Sequence, residues 1–224
     1  MGKLQETARD RTTAVYITCP NLHWVHKTVV VCLMGILQDT RYSCRIDMPS
    51  AKPFENNLNQ IVQRFLASDC QFWLTIDDDN PPTKNPLDLI ELDLDIVGLP
   101  TPVWHYERKA GERPIYFNAY EYDPTSLAYR EFRPQEGLKE VDAVGTGCVL
   151  MHRRVFENSN MQAGAFLRTW TASGIVERGN DISFCERAKH AGFKVWAHFD
   201  YPCDHMTEVS LLEVIRSING LSDG

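Results

Sequence analysis

The chain has 224 residues, 43% hydrophobic and 24% charged, which is ordinary for one globular domain and too apolar for disorder. Lys plus Arg number 23 against 30 Asp plus Glu, and the net charge of −7 argues against a surface built throughout to grip nucleic acid. The N-terminus MGKLQETARDRTT is too polar for a signal peptide, and no apolar run is long enough to span a membrane. Seven scattered cysteines without a CxxC pair fit reduced thiols better than a disulfide framework or a zinc finger. The expectation is a cytoplasmic protein with one domain over residues 1–224, of which 1–13 form a flexible lead-in.

The β-branched run AVYITC (14–19) predicts a strand that stops at Pro20-Asn21. HKTVVVCLMGILQD then sets Val29, Val30, Leu33, Ile36 and Leu37 on one face at helical spacing. RYSCRID (41–47) reads as a second strand, and residues 57–66 as an amphipathic helix with Leu58, Ile61, Val62, Phe65 and Leu66 inward. FWLTI (72–76) is too short for a helix and apolar on both faces, the pattern of a central parallel strand. Asn85-Pro86 supplies a cap and first-turn proline for a short helix to Leu92, and DIVGLP (95–100) is another buried strand. Prolines and tyrosines mark loops from Pro100 to Glu140, with an antiparallel hairpin around PIYFNAYEY. VDAVGTGCVLMHRRVF reads as a strand with a glycine break, followed by a loop over 157–179. Asn180 is placed to cap a helix ending near Gly192, and KVWAHF (194–199) is the last strand. Ser210 and Glu213 form a capping box for a C-terminal helix with Leu211, Leu212, Ile215 and Ile218 inward. Strands alternating with helices over the first hundred residues predict an α/β fold with a mostly parallel central sheet flanked by helices.

Asp77-Asp78-Asp79, directly after FWLTI, carries the strongest chemical signal. Adjacent carboxylates repel, and the carboxyl end of a central strand is where open α/β sheets bind ligands. A divalent cation would offset the repulsion, and carboxylate oxygens suit Mg²⁺ or Mn²⁺; a solvated acidic turn before Asn80-Pro81-Pro82 is the plainer alternative. Asp181 opens the late helix, where an acid either complements the helix dipole or serves as a general base or hydroxyl anchor. Cys203-Asp204-His205 follows the last strand, and the His205 imidazole added to two carboxylates would suit Mn²⁺. Gly145-Thr146-Gly147 lacks a dinucleotide fingerprint, and no P-loop occurs, yet backbone can approach a ligand closely there. His152-Arg153-Arg154 either faces phosphates or forms a solvated cationic patch.

ITCPN, ENNLNQIVQRFL, FWLTIDDDNPP, VDAVGTGCVLMHRRVFE and GNDISFCERAKHAGFKVWAH, followed by a late His205, resemble in this order the GT-A-type glycosyltransferases. The resemblance is to small family-two-like members of phage and bacterial genomes and spans roughly residues 14 to 209. It implies a single GT-A, Rossmann-like domain. Asp77 and Asp79 would hold Mn²⁺ or Mg²⁺ on the diphosphate as a DxD element, with His205 completing the metal shell. Asp78 would lie beside the ribose or the cation, and Asp181 would be the catalytic base. Thr18, Pro20 and Asp47 would border the nucleoside, and Gly145, Thr146 and Gly147 the donor sugar. Asn57 would add a donor contact, although the family usually has Arg-Asn where this chain reads Asn56-Asn57. Trp104, His105 and Trp170 would offer flat surfaces to sugar or acceptor, with aromatic core packing an equal reading of each.

The implied activity is metal-dependent transfer of a sugar from a nucleoside diphosphate sugar, UDP-linked by preference, to an acceptor hydroxyl. Two other readings stand beside it: a nucleotidyltransferase, and a non-catalytic module that binds a nucleotide sugar or a partner. A nucleotidyltransferase would usually show a glycine-rich basic loop after the first strand, where this chain has CPNLHWVHK. The acceptor is open among a glycan, a modified DNA base and a protein side chain. Duplex DNA would need a basic face gathered from Arg108, Lys109, Arg113, Arg130 and Arg133.

Overall fold

The computed structural model describes residues 13–104, 115–133, 135–162, 164–209, 211 and 214–215. The first half contains β1 (Ala14–Thr18), α1 (Lys27–Leu37), β2 (Ser43–Asp47), α2 (Phe54–Ala67), β3 (Phe72–Ile76), a 3-10 helix (Pro86–Leu92) and β4 (Ile96–Gly98). Then come β5 (Pro102–Trp104), β6 (Ile115–Phe117), β7 (Ala119–Asp123), β8 (Ala128–Glu131), β9 (Leu138–Val141), β10 (Ala143–Val144) and β11 (Cys148–His152). Last are α3 (Arg153–Glu157), α4 (Ser159–Gln162), β12 (Thr169–Trp170), β13 (Val176–Arg178), α5 (Asn180–His190) and β14 (Val195–His198).

Seven of these strands form one sheet in the order β2-β1-β3-β11-β4-β14-β9. β2, β1, β3, β4 and β14 run parallel, and β11 and β9 run against them. This is the α/β architecture expected from the sequence. β3 explains why FWLTI is apolar throughout. Trp73 packs on the face covered by α2, α3 and α5, while Phe72, Leu74 and Ile76 pack on the face covered by α1 and the 3-10 helix. On the first face Phe65, Trp73, Phe156, Phe166 and Phe184 form an aromatic core, with Phe166 stacked on Phe184 at 4.4 Å.

Several local expectations need correction. α1 buries Val29, Leu33 and Ile36, but Val30 and Leu37 are exposed, because one sheet face covers a narrower stripe than five residues. PIYFNAYEY is not one hairpin: β6 pairs with β5, and β7 pairs with β8 and β10, after a bend at Asn118. Asn118 fixes that bend by exchanging backbone and side-chain bonds with Thr101. VDAVGTGCVLMH divides among three strands: β9 and β11 enter the main sheet and β10 the small one. The loop at 157–179 contains α4 and the β12–β13 pair. Asn180 does not cap α5 but begins it, with Gly179 as a cap that has no side chain to offer. Ser210, Leu212, Glu213 and Ile218 lie outside the described residues, and Leu211 and Ile215 are exposed.

Candidate active site at the carboxyl end of β3

Because β1, β2 and β3 are parallel and in register, Thr18, Asp47 and Asp77 reach the same edge of the sheet. β11 runs back along β3 with Cys148 opposite Ile76, which brings Gly145–Gly147 to that edge as well. The turn after β3 is then tied down from several directions. Asp77 N–H donates to the Gly147 carbonyl at 2.8 Å, and His26 N–H to the Asp78 carbonyl at 2.8 Å. Met206 N–H donates to the Asp79 carbonyl at 2.8 Å, and Asp204 N–H to that of Pro81 at 3.0 Å.

That last pair of bonds draws the segment after β14 against the acidic turn. His205 Nε2 comes to 3.4 Å from Asp79 Oδ2, while its Nδ1 faces the Pro102 carbonyl at 2.8 Å. The Asp79 bond raises the His205 pKa most, against a burial that lowers it. Asp77 is the most perturbed acid of the group. Its Oδ1 is buried and without a partner, and burial, then Asp79 and Asp78, push its pKa well above the usual carboxylate range. Burial, then Asp79, also raises Asp78.

An open pocket of about 250 Å³ lies against this turn. Pro20, Leu22 and Phe54 give it apolar walls; Asn21, Asn57 and Asp77–Asp79 give it a polar side. Asn57 is 1% exposed, its Nδ2 donates to the Pro49 carbonyl at 3.0 Å, and its Oδ1 has no partner. Asp181 stands in the first turn of α5 and accepts from Ile182 N–H at 2.8 Å. Burial raises its pKa, against its backbone bonds and Arg168, and its charge is felt at Asp77.

The other expected site residues fall in different places. Thr18 is fully buried, its Oγ1 accepting from Trp73 Nε1 at 2.8 Å, so its hydroxyl serves the core. Asp47 is committed to Tyr16 Oη at 2.7 Å and Arg64 Nη1 at 2.9 Å, bonds that lower its pKa despite burial, and it does not line the pocket. Gly145 and Gly147 have a reason within the protein. A Cβ on Gly145 would fall 2.2 Å from Asn118 Nδ2, and one on Gly147 2.3 Å from Asn80 Oδ1. Thr146, between them, is partly exposed. Trp104 is half-buried in β5, Trp170 is 58% exposed in β12, and His105 lies outside the described residues. Cys203 is buried in the α1-side core rather than offered to a metal. Arg130 pairs with Asp123 and Arg133 with Glu131, while Arg108, Lys109 and Arg113 lie outside the described residues.

The sequence reading missed the roles of Asn21, Leu22, Phe54, Asn80 and Asn118. Asn80 adjoins the acidic triplet, which was a signal; nothing local marks Asn118.

The donor chemistry of this corner fits a hard divalent cation: an orphaned buried carboxylate oxygen, two further carboxylates and an imidazole. Among the described residues, however, no three His, Cys, Asp or Glu side chains already converge as a metal site. Asp79 and His205 meet; Asp77 lies within electrostatic reach of both.

No family model matches the sequence, and no curated protein is similar enough to count as a relative. Among solved structures, A197 from STIV is similar at a TM-score of 0.59 and 14% identity, over 88% of this chain and 86% of that one. GalNAc-T7, crystallised with UDP, GalNAc and Mn²⁺, is similar at 0.57 and 11% identity, over 94% of this chain and 48% of that one. This chain thus spans about half the length of that chain. Likeness at such low identity speaks to architecture, and the architecture is of the GT-A, Rossmann-like type.

Proposed function

We propose that this protein is a metal-dependent glycosyltransferase that moves a sugar from a nucleoside diphosphate sugar to an acceptor hydroxyl. The observation that carries this reading is the meeting of His205 with Asp79 beside the buried, repelled carboxylate of Asp77. Three acids and an imidazole from well-separated parts of the sequence are costly to gather unless a cation is meant to join them. The fold-level likeness to GalNAc-T7, whose structure holds UDP, GalNAc and Mn²⁺, supports the same reading.

Asp77, Asp79 and His205 would hold Mn²⁺ or Mg²⁺, and Asp78 would adjoin it. When bound, such a cation supplies Lewis-acid stabilisation of the negative charge that grows on a departing diphosphate. The chain's own residues supply the rest. Asp181, with its pKa raised by burial, would accept the acceptor's hydroxyl proton. Asn57 and the pocket walls would hold the nucleoside part of the donor. Thr18, fully buried against Trp73, would support the site from the core, and Asp47, held by Tyr16 and Arg64, would border the nucleoside from beside the pocket.

The deciding experiment incubates the full chain with Mn²⁺ and a panel of radiolabelled nucleotide sugars, UDP-linked ones first, and follows release of the nucleoside diphosphate. Mn²⁺-dependent release, by transfer or slow hydrolysis, is expected. Exchange of labelled pyrophosphate into a nucleoside triphosphate would mark a nucleotidyltransferase instead. Binding without turnover for every donor and acceptor tried would mark a binding module.

A further inference from the structure

Toward the end of α5 away from Asp181, a second open pocket of about 280 Å³ lies between that helix and the β7–β8 pair. Tyr122, Tyr129, Asp142, Glu186, Lys189 and His190 line it. Tyr122 and Tyr129 stand opposite one another in the ladder, and their rings lie 5.3 Å apart at 56°. Arg178 sits over the Tyr129 ring at 5.7 Å, so Tyr122, 36% exposed, is the ring with a face to offer. The charges of the lining are already paired. Asp142 accepts from Lys189 Nζ and, at 2.7 Å, from Tyr122 N–H. Glu186 Oε1 accepts from Tyr129 Oη at 2.9 Å and from Arg178 Nε at 3.2 Å.

Two carboxylates thus face two cations, and an ion from outside, of either sign, meets no unopposed charge. Hydrogen-bonding capacity is left over all the same. Among the described residues Glu186 Oε2 and the Tyr122 hydroxyl have no partner, and the exposed His190 imidazole has none either. The first accepts, the other two both donate and accept, and Lys189 keeps further N–H groups to donate. Donors and acceptors without net charge, beside an open aromatic face, select a neutral polyhydroxylated ring. Its hydroxyls take both kinds of bond, and its C–H face lies on Tyr122. The volume falls below the roughly 300–1,000 Å³ of sites that enclose a whole drug-sized ligand, which suits one ring of a longer chain.

We infer that this pocket is a binding site for one ring of a neutral oligosaccharide. It begins roughly 8 Å along α5 from Asp181, and it calls for neither metal nor nucleotide, so it stands or falls apart from the reading above. The test applies the full chain, free of metal and nucleotide, to immobilised oligomers of glucose, galactose, mannose and N-acetylglucosamine, with uronic-acid oligomers alongside. Isothermal titration then measures the oligomer that is retained. At least one neutral oligomer should bind, and Tyr122→Ala should weaken it at least about tenfold. Tyr122→Phe, which keeps the ring, should restore most of that loss. Excess UDP with Mn²⁺ should leave the oligomer in place; its displacement would put the sugar at the acidic turn and overturn the assignment. Retention of no neutral oligomer, or wild-type affinity in a folded Tyr122→Ala protein, overturns it as well. If Tyr122→Ala does not fold, His190→Ala decides: at an exposed residue it should fold, and undiminished binding there overturns the site.

Discussion

At one end of β11, Cys148 pairs with Ile76 and the chain adjoins Asp77–Asp79; at the other, His152 pairs with Phe72 and leads into Arg153 and Arg154. Both ends carry clusters of charge, yet their bookkeeping differs. Arg153 Nη1 donates to the carbonyls of Phe65, Ser68 and Cys70, and its Nη2 to that of Leu66, closing the C-terminal end of α2. Arg154 Nε binds Asp95 at 2.6 Å and Nη1 binds Asp93 at 2.8 Å, which lowers the Asp93 pKa. His152 Nδ1 accepts from Arg154 N–H and caps α3. Each charge at that end meets a partner of opposite charge or a row of carbonyls within the protein. At the acidic end, like charges adjoin, a carboxylate oxygen is stranded, and the Asp77 pKa is driven up. Balanced charge holds elements together, whereas charge left unbalanced at a sheet's carboxyl end marks a place prepared for a ligand.

This contrast predicts that substitutions at the two ends fail in different assays. Asp79→Ala should cut Mn²⁺-dependent transfer at least about a hundredfold, as should a chelator added to the wild-type protein. Its melting temperature should hold or rise, because one of three mutually repelling carboxylates is gone. Unchanged Mn²⁺-dependent binding of nucleotide sugar by Asp79→Ala would move the site elsewhere. Asp181→Asn should lose transfer by about 10²–10⁴-fold while still binding donor and metal, with melting shifted by only a few degrees. Near-normal transfer by that variant would leave Asp181 as a helix-opening acid worth roughly 0.3–1 kcal/mol.

At the other end of β11 the loss should be one of stability. Arg153→Met removes four bonds to carbonyls at the end of α2, of which that of Phe65 also accepts from Ser68, and should destabilise by about 3 kcal/mol, or roughly 6–12 °C in melting temperature. Transfer per folded molecule should stay as in the wild type; a selective loss of donor binding would instead mean that Arg153 reaches a phosphate. Gly147→Ala lies between the two classes. The new methyl would fall 2.3 Å from Asn80 Oδ1, and Asn80, 4% exposed, has no room to swing outward. A loss of about 1–3 kcal/mol in denaturant unfolding is expected, with the acidic turn displaced and transfer reduced as well.

How much of this was legible beforehand follows from the range of each interaction. The sheet was readable because FWLTI and AVYIT must be buried on both faces, and period-3.6 stripes between them leave few alternatives. Asp77–Asp79 was readable because unbalanced charge after a buried strand is itself anomalous. Thr18 and Asp47 are another matter. Both stand at the expected edge, and only the fold shows the partners that engage them, Trp73 for one and Tyr16 with Arg64 for the other. The same holds for Arg153, whose partners lie 83 to 88 positions away. The glycines of GTG were read as room for a ligand, and the groups that come close to them within the protein are Asn80 and Asn118. Side-chain commitments across long separations leave no local pattern to read.

The smallest effect belongs to a third charged cluster, balanced like the Arg153 end but exposed to solvent. Arg41 binds Asp39 and, through Nη2 at 2.6 Å, Asp88, while Asn85 Nδ2 donates to Asp39 Oδ2 at 2.7 Å. These contacts pin the turn after α1 to the start of the 3-10 helix. The Arg41 bonds, helped by Asn85 and opposed by burial, lower the Asp39 pKa from 3.8 to about 2. Because the folded value lies below the unfolded one, the contribution is fully present above about pH 4 and fades as pH falls through 4 toward 2. Arg41 is half-exposed, so screening keeps the effect modest. Asp39→Asn should therefore melt about 1–3 °C below wild type at pH 6, with the gap closing by pH 2.5. The comparison is made between the two proteins at each pH, since the raised carboxyls at Asp77 and Asp78 change charge in both alike. A gap that stayed constant down to pH 2.5 would show that Asp39 acts through its hydrogen bonds to Arg41 and Asn85 without its charge. Its cluster would then no longer belong with the balanced end of β11.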